Sequence, residues 1–243
     1  MDENLKLILD NFEKQGHVLV AGKRNLIKVF PYQGQEIAIK SFRIPILING
    51  FIYRFFRKSK ARRSFENAKL LLENGIGTPN PIAYFENFNS LFLKESYYIS
   101  ENLVPDYVFK NFFGDDSNPD LEPVLRGIAQ FTFKMHERGI EFLDHSPGNT
   151  LIKKTKEGTF SYFLVDLNRM NFHKEMSFKH RMKNLSRISP SKEMIQVISN
   201  EYAKLSGIAE ATVFNTLWQY TQEFQFRFIR KQKLKKKVMF WKN

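Results

Sequence analysis

The sequence has no cysteine, which excludes disulfides and thiolate metal sites and suits a reducing compartment. It has no long hydrophobic run either. The most apolar window, Ile44 to Phe56, is too short to span a bilayer and is interrupted by Asn49 and Gly50. Acidic residues are missing from two stretches: Phe42 to Phe65 carries seven basic residues and no acid, and Phe226 to Asn243 carries eight and no acid. There are no internal repeats and no Gly/Ser-rich linker. The opening Met1-Asp2-Glu3-Asn4 is acidic where a secretory leader would be basic, so a cytoplasmic protein is expected.

What is present is enough for a substantial core. The 243 residues are 42% hydrophobic and include 25 phenylalanines, which suits one large domain or two small lobes. The formal charge of +13 implies an anionic partner: nucleic acid, phospholipid or a phosphorylated substrate.

Residues 4–15 have helical spacing, with Leu5, Ile8, Leu9 and Phe12 on one face. Three strands follow as a meander: His17 to Val20, Leu26 to Phe30 and Glu36 to Phe42. Helical periodicity returns at Ser59 through Ala61, Phe65, Ala68 and Leu72, and Gly75 with Gly77-Thr78-Pro79 stops it. A hairpin is expected over 82–100. Beyond Glu101 the pattern predicts helices at Tyr107 to Phe113 and Leu121 to Arg138, a hairpin from Leu151 to Asp166, and helices near 176–187, 191–205 and 209–232.

Ile37-Ala38-Ile39-Lys40 ends an apolar strand in a lysine, which by itself reads as an exposed edge-strand residue. Glu66, mid-helix, by itself reads as solvated. In chain order, however, there is a strand lysine, a helix glutamate, Asp144 followed by Asn149 in a Pro-Gly turn, and Asp166 after the apolar run Tyr162 to Val165. That is the order of a protein-kinase-like active site. A polyanionic nucleotide needs a rigidly held cation, magnesium takes hard oxygen ligands, and an acceptor hydroxyl needs a base.

Asp144-x-x-Pro147-Gly148-Asn149 resembles the Asp-x-x-Pro-x-Asn loop of aminoglycoside, choline and lipopolysaccharide kinases. The chain is most similar to the lipopolysaccharide kinase family, which phosphorylates Kdo or core heptose. That resemblance rests on four stretches: Ser59 to Ala68 leading into Gly75 to Pro81, Met135 to Ile140, the Asp144 loop, and Val165 to Met170. It covers about residues 17 to 172.

The resemblance implies an α+β, bilobal, kinase-like fold. Residues 1–101 would form a small antiparallel β lobe with one Glu-bearing helix, and 102–243 a helical lobe with the catalytic loop and basic tail. It implies ATP and Mg2+ as cofactors. Lys40 would bind nucleotide phosphate with Glu66 as its ion-pair partner, Asp144 would be the catalytic base, and Asn149 and Asp166 the metal ligands. Glu101 to Leu103 would present backbone to the adenine. Since no Gly-x-Gly-x-x-Gly is present, Gly22 and Asn25, with Lys23, would cover the phosphates. The implied acceptor is a lipid-anchored anionic saccharide, Kdo–lipid A or inner-core lipopolysaccharide, met peripherally at the inner face of the cell membrane. Two departures stand out: Phe142-Leu143-Asp144 replaces His-x-Asp, with Phe142 expected to pack in the histidine's place, and Leu-Asn follows Asp166.

His136 is expected to be structural beneath the loop, and His145 to face solvent. Arg169 suits either substrate phosphate or an acid. His17, His173 and His180 are not at metal-ligand spacing, so no zinc site is read. Ile44 to Phe56 and Phe226 to Lys242 mix aromatics with cations in the manner of a membrane-surface contact. No nucleic-acid recognition motif is present, so no nucleic-acid partner is expected. An atypical protein or small-molecule kinase, and a catalytically silent kinase-like binding module, remain as other readings. The oligomeric state is left open.

Overall fold

A computed structural model describes residues 2–22, 25–42, 52–53 and 57–240. Lys23, Trp241 and most of Ile44 to Phe56 therefore lie outside the described residues. The chain divides into two compact units, residues 1–105 with 163–169, and residues 106–162 with 170–243.

The first unit begins with helix α1 (Glu3–Asp10), whose N-cap Asp2 accepts a hydrogen bond from the Asn4 amide at 3.1 Å. Strands β1 (His17–Ala21), β2 (Asn25–Tyr32) and β3 (Gln35–Phe42) form the expected meander. After helix α2 (Lys60–Glu73) come β4 (Pro81–Phe88) and β5 (Leu93–Glu101), giving an antiparallel sheet in the order β1-β2-β3-β5-β4. Lys40 is therefore on the central strand, not an edge.

Alternation along β3 puts Ile37 and Ile39 in the core under Leu5, Leu9 and Phe12, and puts Ala38 and Lys40 on the opposite face. Phe12 is almost wholly buried, edge-on to Tyr97 at 5.2 Å. Its truncation to alanine would cost about 3–5 kcal/mol.

The helix ends at Asp10, earlier than the apolar spacing suggests, and a buried cation takes up carbonyls of the turn that follows it. Lys28 donates from Nζ to the carbonyl oxygens of Phe12 at 2.6 Å, Glu13 at 3.0 Å and Gln15 at 3.0 Å. The chain then turns at Gly16, whose φ of +86° and close approach to the Phe30 ring leave no room for a side chain.

The second unit contains β6 (Tyr107–Val108), α3 (Leu121–Glu137), β7 (Ile140–Phe142), β8 (Thr150–Lys154), β10 (Met170–Phe172), α4 (Phe178–Leu185), α5 (Lys192–Ser206) and α6 (Glu210–Phe240), and β9 (Phe160–Leu164) runs up to and across its boundary. Its core joins Val124, Leu125 and Ile128 of α3 to Ile195, Ile198 and Tyr202 of α5 and Val213 and Leu217 of α6. The expected helix at Tyr107 to Phe113 is instead a strand and a 3₁₀ turn, Phe109–Phe112. Tyr107 and Val108 pair with Ile152 and Leu151 of β8, and a segment this short cannot sustain a helix on propensity alone.

Two short strands of this unit, β7 and β10, pair antiparallel with Glu141 opposite Asn171. Gly139 makes their approach possible. Its φ is +67°, and a Cβ there would sit 1.9 Å from the His173 carbonyl oxygen. The His173 amide donates to the Gly139 carbonyl at 2.8 Å.

Candidate active site

Lys40 leaves β3 on the face away from the α1 core, with its side chain only 12% exposed. Its ammonium lies 2.6 Å from Asp166 Oδ1 and over the Phe42 ring at 5.2 Å. Asp166 itself has a left-handed backbone, φ +63°, uncommon for a side-chain-bearing residue and tolerated by Asp. The segment around it is tied to its own unit at several points. The Leu164 amide donates to the Gly77 carbonyl at 2.9 Å, and Thr78 Oγ1 donates to the Leu164 carbonyl at 2.8 Å. From α2, Asn67 donates to the Leu167 carbonyl at 2.6 Å, and Arg63 to the Asn168 carbonyl at 2.7 Å. Asn168 Nδ2 closes the turn on Asp166 Oδ1 at 2.8 Å.

The expected ion pair between Lys40 and Glu66 is not formed. Arg63 and Asn67 share the edge of α2 that meets the Asp166 segment, and Ala61, Ser64, Ala68 and Leu71 form its buried face. Glu66, one turn on from Arg63, lies on the edge away from that buried face. There its carboxylate pairs with Lys58 at 2.8 Å and with Arg62 at 2.9 Å.

Of the residues expected to cover or contact nucleotide, the Gly22 amide donates to the Asn25 carbonyl at 3.0 Å. The Asn25 side-chain oxygen is buried without a hydrogen-bond partner among the described residues. Glu101 is tied to Asn80, through its amide at 2.9 Å and its carboxylate at 2.7 Å. Asn102 is tied to Glu36 in the same way, at 3.0 Å and 2.9 Å.

In the second unit, β7 delivers the chain into Leu143-Asp144. The Asp144 carboxylate is 25% exposed, with Arg187 Nη1 3.8 Å away. Asn149 Nδ2 donates to the Asp144 carbonyl at 2.8 Å, closing the loop over the turn Pro147–Asn149. That bond engages the amide nitrogen; the oxygen, the end a hard cation takes, is not the end it uses.

Phe142 is fully buried, as expected of a residue packing in place of histidine. A separate network holds its backbone. Asn184 Nδ2 donates to the Phe142 carbonyl at 2.8 Å, Asn184 Oδ1 lies 3.1 Å from His136 Nε2, and His136 Nδ1 lies 3.0 Å from the Tyr202 hydroxyl. Burial pushes His136 down to about 3, so it is neutral at pH 7. His145 is buried rather than solvent-facing. Its Nε2 lies 3.3 Å from Thr132 Oγ1, its ring sits edge-on to Phe142, and burial pushes it down to about 4.

Arg187 and Asn184 carry no sequence signal. They belong to the helical stretch beyond the recognised motifs. Arg187 also donates to the Leu143 carbonyl and lies over the Phe224 ring at 5.1 Å.

A sequence profile of the lipopolysaccharide kinase (Kdo/WaaP) family matches residues 39–207. The chain belongs to the lipopolysaccharide kinase (Kdo/WaaP) family. As a member, it is a phosphotransferase acting on a sugar hydroxyl. The matched span of this lipopolysaccharide kinase contains Lys40, Glu66, Asp144, Asn149, Asp166 and Arg187, and leaves Gly22 and Asn25 outside it. Among solved structures, the kinase is similar to one described as WaaP in complex with acyl carrier protein. The two share 17% identity at a TM-score of 0.60, over 89% of this chain and 92% of that one. That likeness establishes the mixed helix and antiparallel-sheet kinase-like fold. No match is found among curated proteins.

Proposed function

We propose that the chain transfers the γ-phosphoryl group of ATP, with Mg2+, to a sugar hydroxyl of Kdo–lipid A or inner-core lipopolysaccharide. The observation that carries this is the Lys40–Asp166 pair, a cation and a hard-oxygen ligand set 2.6 Å apart within one unit. Lys40 neutralises nucleotide phosphate, and the backbone of Glu101 to Leu103 meets the adenine, with Gly22 and Asn25 covering the phosphates. Asp166 and the Asn149 amide oxygen each offer a hard oxygen of the kind Mg2+ takes, and Mg2+ when bound would neutralise charge on the phosphates. Asp144 accepts the proton of the sugar hydroxyl as its oxygen bonds to the γ-phosphorus and ADP leaves. Glu66, paired with Lys58 and Arg62, is the residue whose assigned role has least support.

The functional halves are the lobes 1–101 and 102–243, except that residues 163–169, with Asp166, group with the first. Peripheral contact with an anionic membrane at the cytoplasmic face is supported by α6, where Phe226, Phe228, Ile229 and Leu234 are exposed among Arg227, Arg230, Lys231, Lys233 and Lys235. No helix among the described residues is long and apolar enough to cross a membrane. An acyl carrier protein, the partner in the similar structure, is carried over as a candidate partner.

The test is incubation with labelled ATP, Mg2+ and Kdo–lipid A beside a panel of other sugar, small-molecule and protein acceptors. Transfer to the lipid, lowered about 10²- to 10⁴-fold by Asp144→Ala, is the expected result. Transfer only to another acceptor removes the substrate; full activity in Asp144→Ala removes the mechanism.

A further inference from the structure

Apart from the residues assigned above, the second unit brings together one carboxylate and two imidazoles that are remote in sequence. Glu141 is the middle residue of β7, His173 directly follows β10, and His180 is in the first turns of α4. Glu141 Oε2 lies 3.1 Å from His173 Nε2, and Glu141 Oε1 lies 2.8 Å from His180 Nε2. The two rings stand nearly perpendicular with centroids 5.0 Å apart, and the three donor atoms all lie within 4.8 Å of one another.

The spacing of His173 and His180 does not suggest a metal site, because each donor comes from a different element. Backbone contacts bring them together. The β7–β10 register sets Glu141 against Asn171, and the His173 amide is tied to the Gly139 carbonyl. Asn171 Nδ2 then donates to Glu141 Oε2 at 2.8 Å, the outer-shell bond that commonly orients a ligating carboxylate. Burial alone would raise the Glu141 pKa, but hydrogen bonds from Asn171, His180 and His173 outweigh it and hold the group at about 2, ionised at neutral pH.

We propose that Glu141, His173 and His180 bind one divalent transition-metal ion of the zinc class. Two imidazole nitrogens and one carboxylate oxygen make a borderline donor set that suits zinc and its neighbours and does not suit magnesium. Tetrahedral zinc at about 2.0–2.1 Å from each ligand needs donor atoms about 3.4 Å apart. The observed 3.1 and 2.8 Å run to different oxygens of Glu141, and the three donors lie within 4.8 Å of one another, so side-chain rotation that brings both imidazoles onto one oxygen completes the set. A fourth position is available. Glu141 and His180 also line a cavity of about 520 Å³ with Lys183, Arg187, Arg227 and Lys231, whose cations favour an anion as the remaining ligand. Bound there, the ion would tie β7, the strand that leads into Asp144, to the end of β10 and to α4.

The test uses the full chain without a polyhistidine tag, titrated with Co2+ and followed by its visible d–d absorption. One equivalent is expected to bind with the spectrum of a low-coordinate nitrogen/oxygen site, to be displaced by Zn2+ and to be unaffected by excess Mg2+. Zn2+ should raise the thermal midpoint of the wild type, and a chelator should reverse the rise. Asn171→Ala, which leaves all three ligands in place, should weaken Zn2+ about 10- to 100-fold. His173→Ala with His180→Ala should abolish binding, and Glu141→Gln should do so if that double variant does not fold. A wild type that gives no Co2+ spectrum overturns the proposal, as does wild-type Zn2+ affinity in Glu141→Gln or the histidine double variant.

Discussion

The Lys40 ammonium lies 2.6 Å from the Asp166 carboxylate, so two side chains proposed for phosphate and metal neutralise each other. On the proposed function, a magnesium nucleotide exchanges these partners and leaves neither charge uncompensated. That is cheaper than burying a lone charge, which costs several kcal/mol.

Lys40→Met should therefore lower kcat/KM about 10²- to 10³-fold, as expected on removing one fixed charge from a phosphoryl-transfer site. Glu66→Gln should leave kcat/KM nearly unchanged and alter stability by less than about 1 kcal/mol, since its partners are largely exposed. Steady-state kinetics and urea unfolding of both variants check this. Equal losses of activity would return Glu66 to the site.

Asn184 donates to the Phe142 carbonyl and meets His136, which meets Tyr202. Asn184→Leu leaves His136 Nε2 without a partner and leaves the Phe142 carbonyl with the His145 amide alone, and should destabilise by on the order of 1–3 kcal/mol. His136→Leu should cost a similar amount. The double variant should cost clearly less than the sum, because each single change orphans an atom that the other removes. Additive losses in urea unfolding would show that the network is not coupled.

Stability should fall with acid earlier than the carboxylates require. Burial depresses His136 to about 3 and His145 to about 4, from an ordinary value near 6.5. Between roughly pH 6.5 and 4 the unfolded chain binds protons that the folded chain refuses, so stability rises with pH there. The contribution is fully present above about 6.5 and is lost as pH falls toward the folded values, by up to about 1.4 kcal/mol per pH unit for each histidine. Glu141, held at about 2, adds to the loss only below the ordinary carboxylate range. Unfolding free energies that stay flat from pH 7.5 down to about 5 would contradict neutral burial of both rings.

Gly139→Ala should destabilise the chain by more than about 1 kcal/mol, since the substitution meets both a left-handed backbone and a carbonyl 1.9 Å from the new Cβ. Because that carbonyl belongs to His173, the same variant should also weaken Zn2+. Calorimetry and the Co2+ titration read the two effects on one sample.

Elements with one-sided apolar spacing were legible before any coordinates. Ile37 and Ile39 in β3, Leu5 and Leu9 in α1, and Ala61 and Ala68 in α2 all show the period that burial imposes. So was the order Lys40, Asp144, Asn149, Asp166, because each sits in a local pattern. What was not legible depends on contacts between distant elements. Glu66 and Asn67 look equally placed in the sequence, and only the Asp166 segment decides which of them faces it. His145 looked like a polar loop residue, but Thr132 of α3 and Phe142 close over it. Tyr107 and Val108 have aromatic and β-branched character that suits a strand, yet only β8 makes them one. Glu141, His173 and His180 meet through a ladder joining residues thirty apart in the chain, as Glu141 and Asn171 are.

Lys28 has one more consequence, for reactivity. Its Nζ donates to the carbonyl oxygens of Phe12, Glu13 and Gln15, and the side chain is buried, so a reagent in solvent cannot reach the nitrogen while those contacts stay in place. An acylating reagent that labels the many surface lysines should pass over Lys28 until the turn after α1 opens. The rate at which Lys28 is labelled then becomes a clock for opening of the first unit, read by peptide mass without any introduced probe.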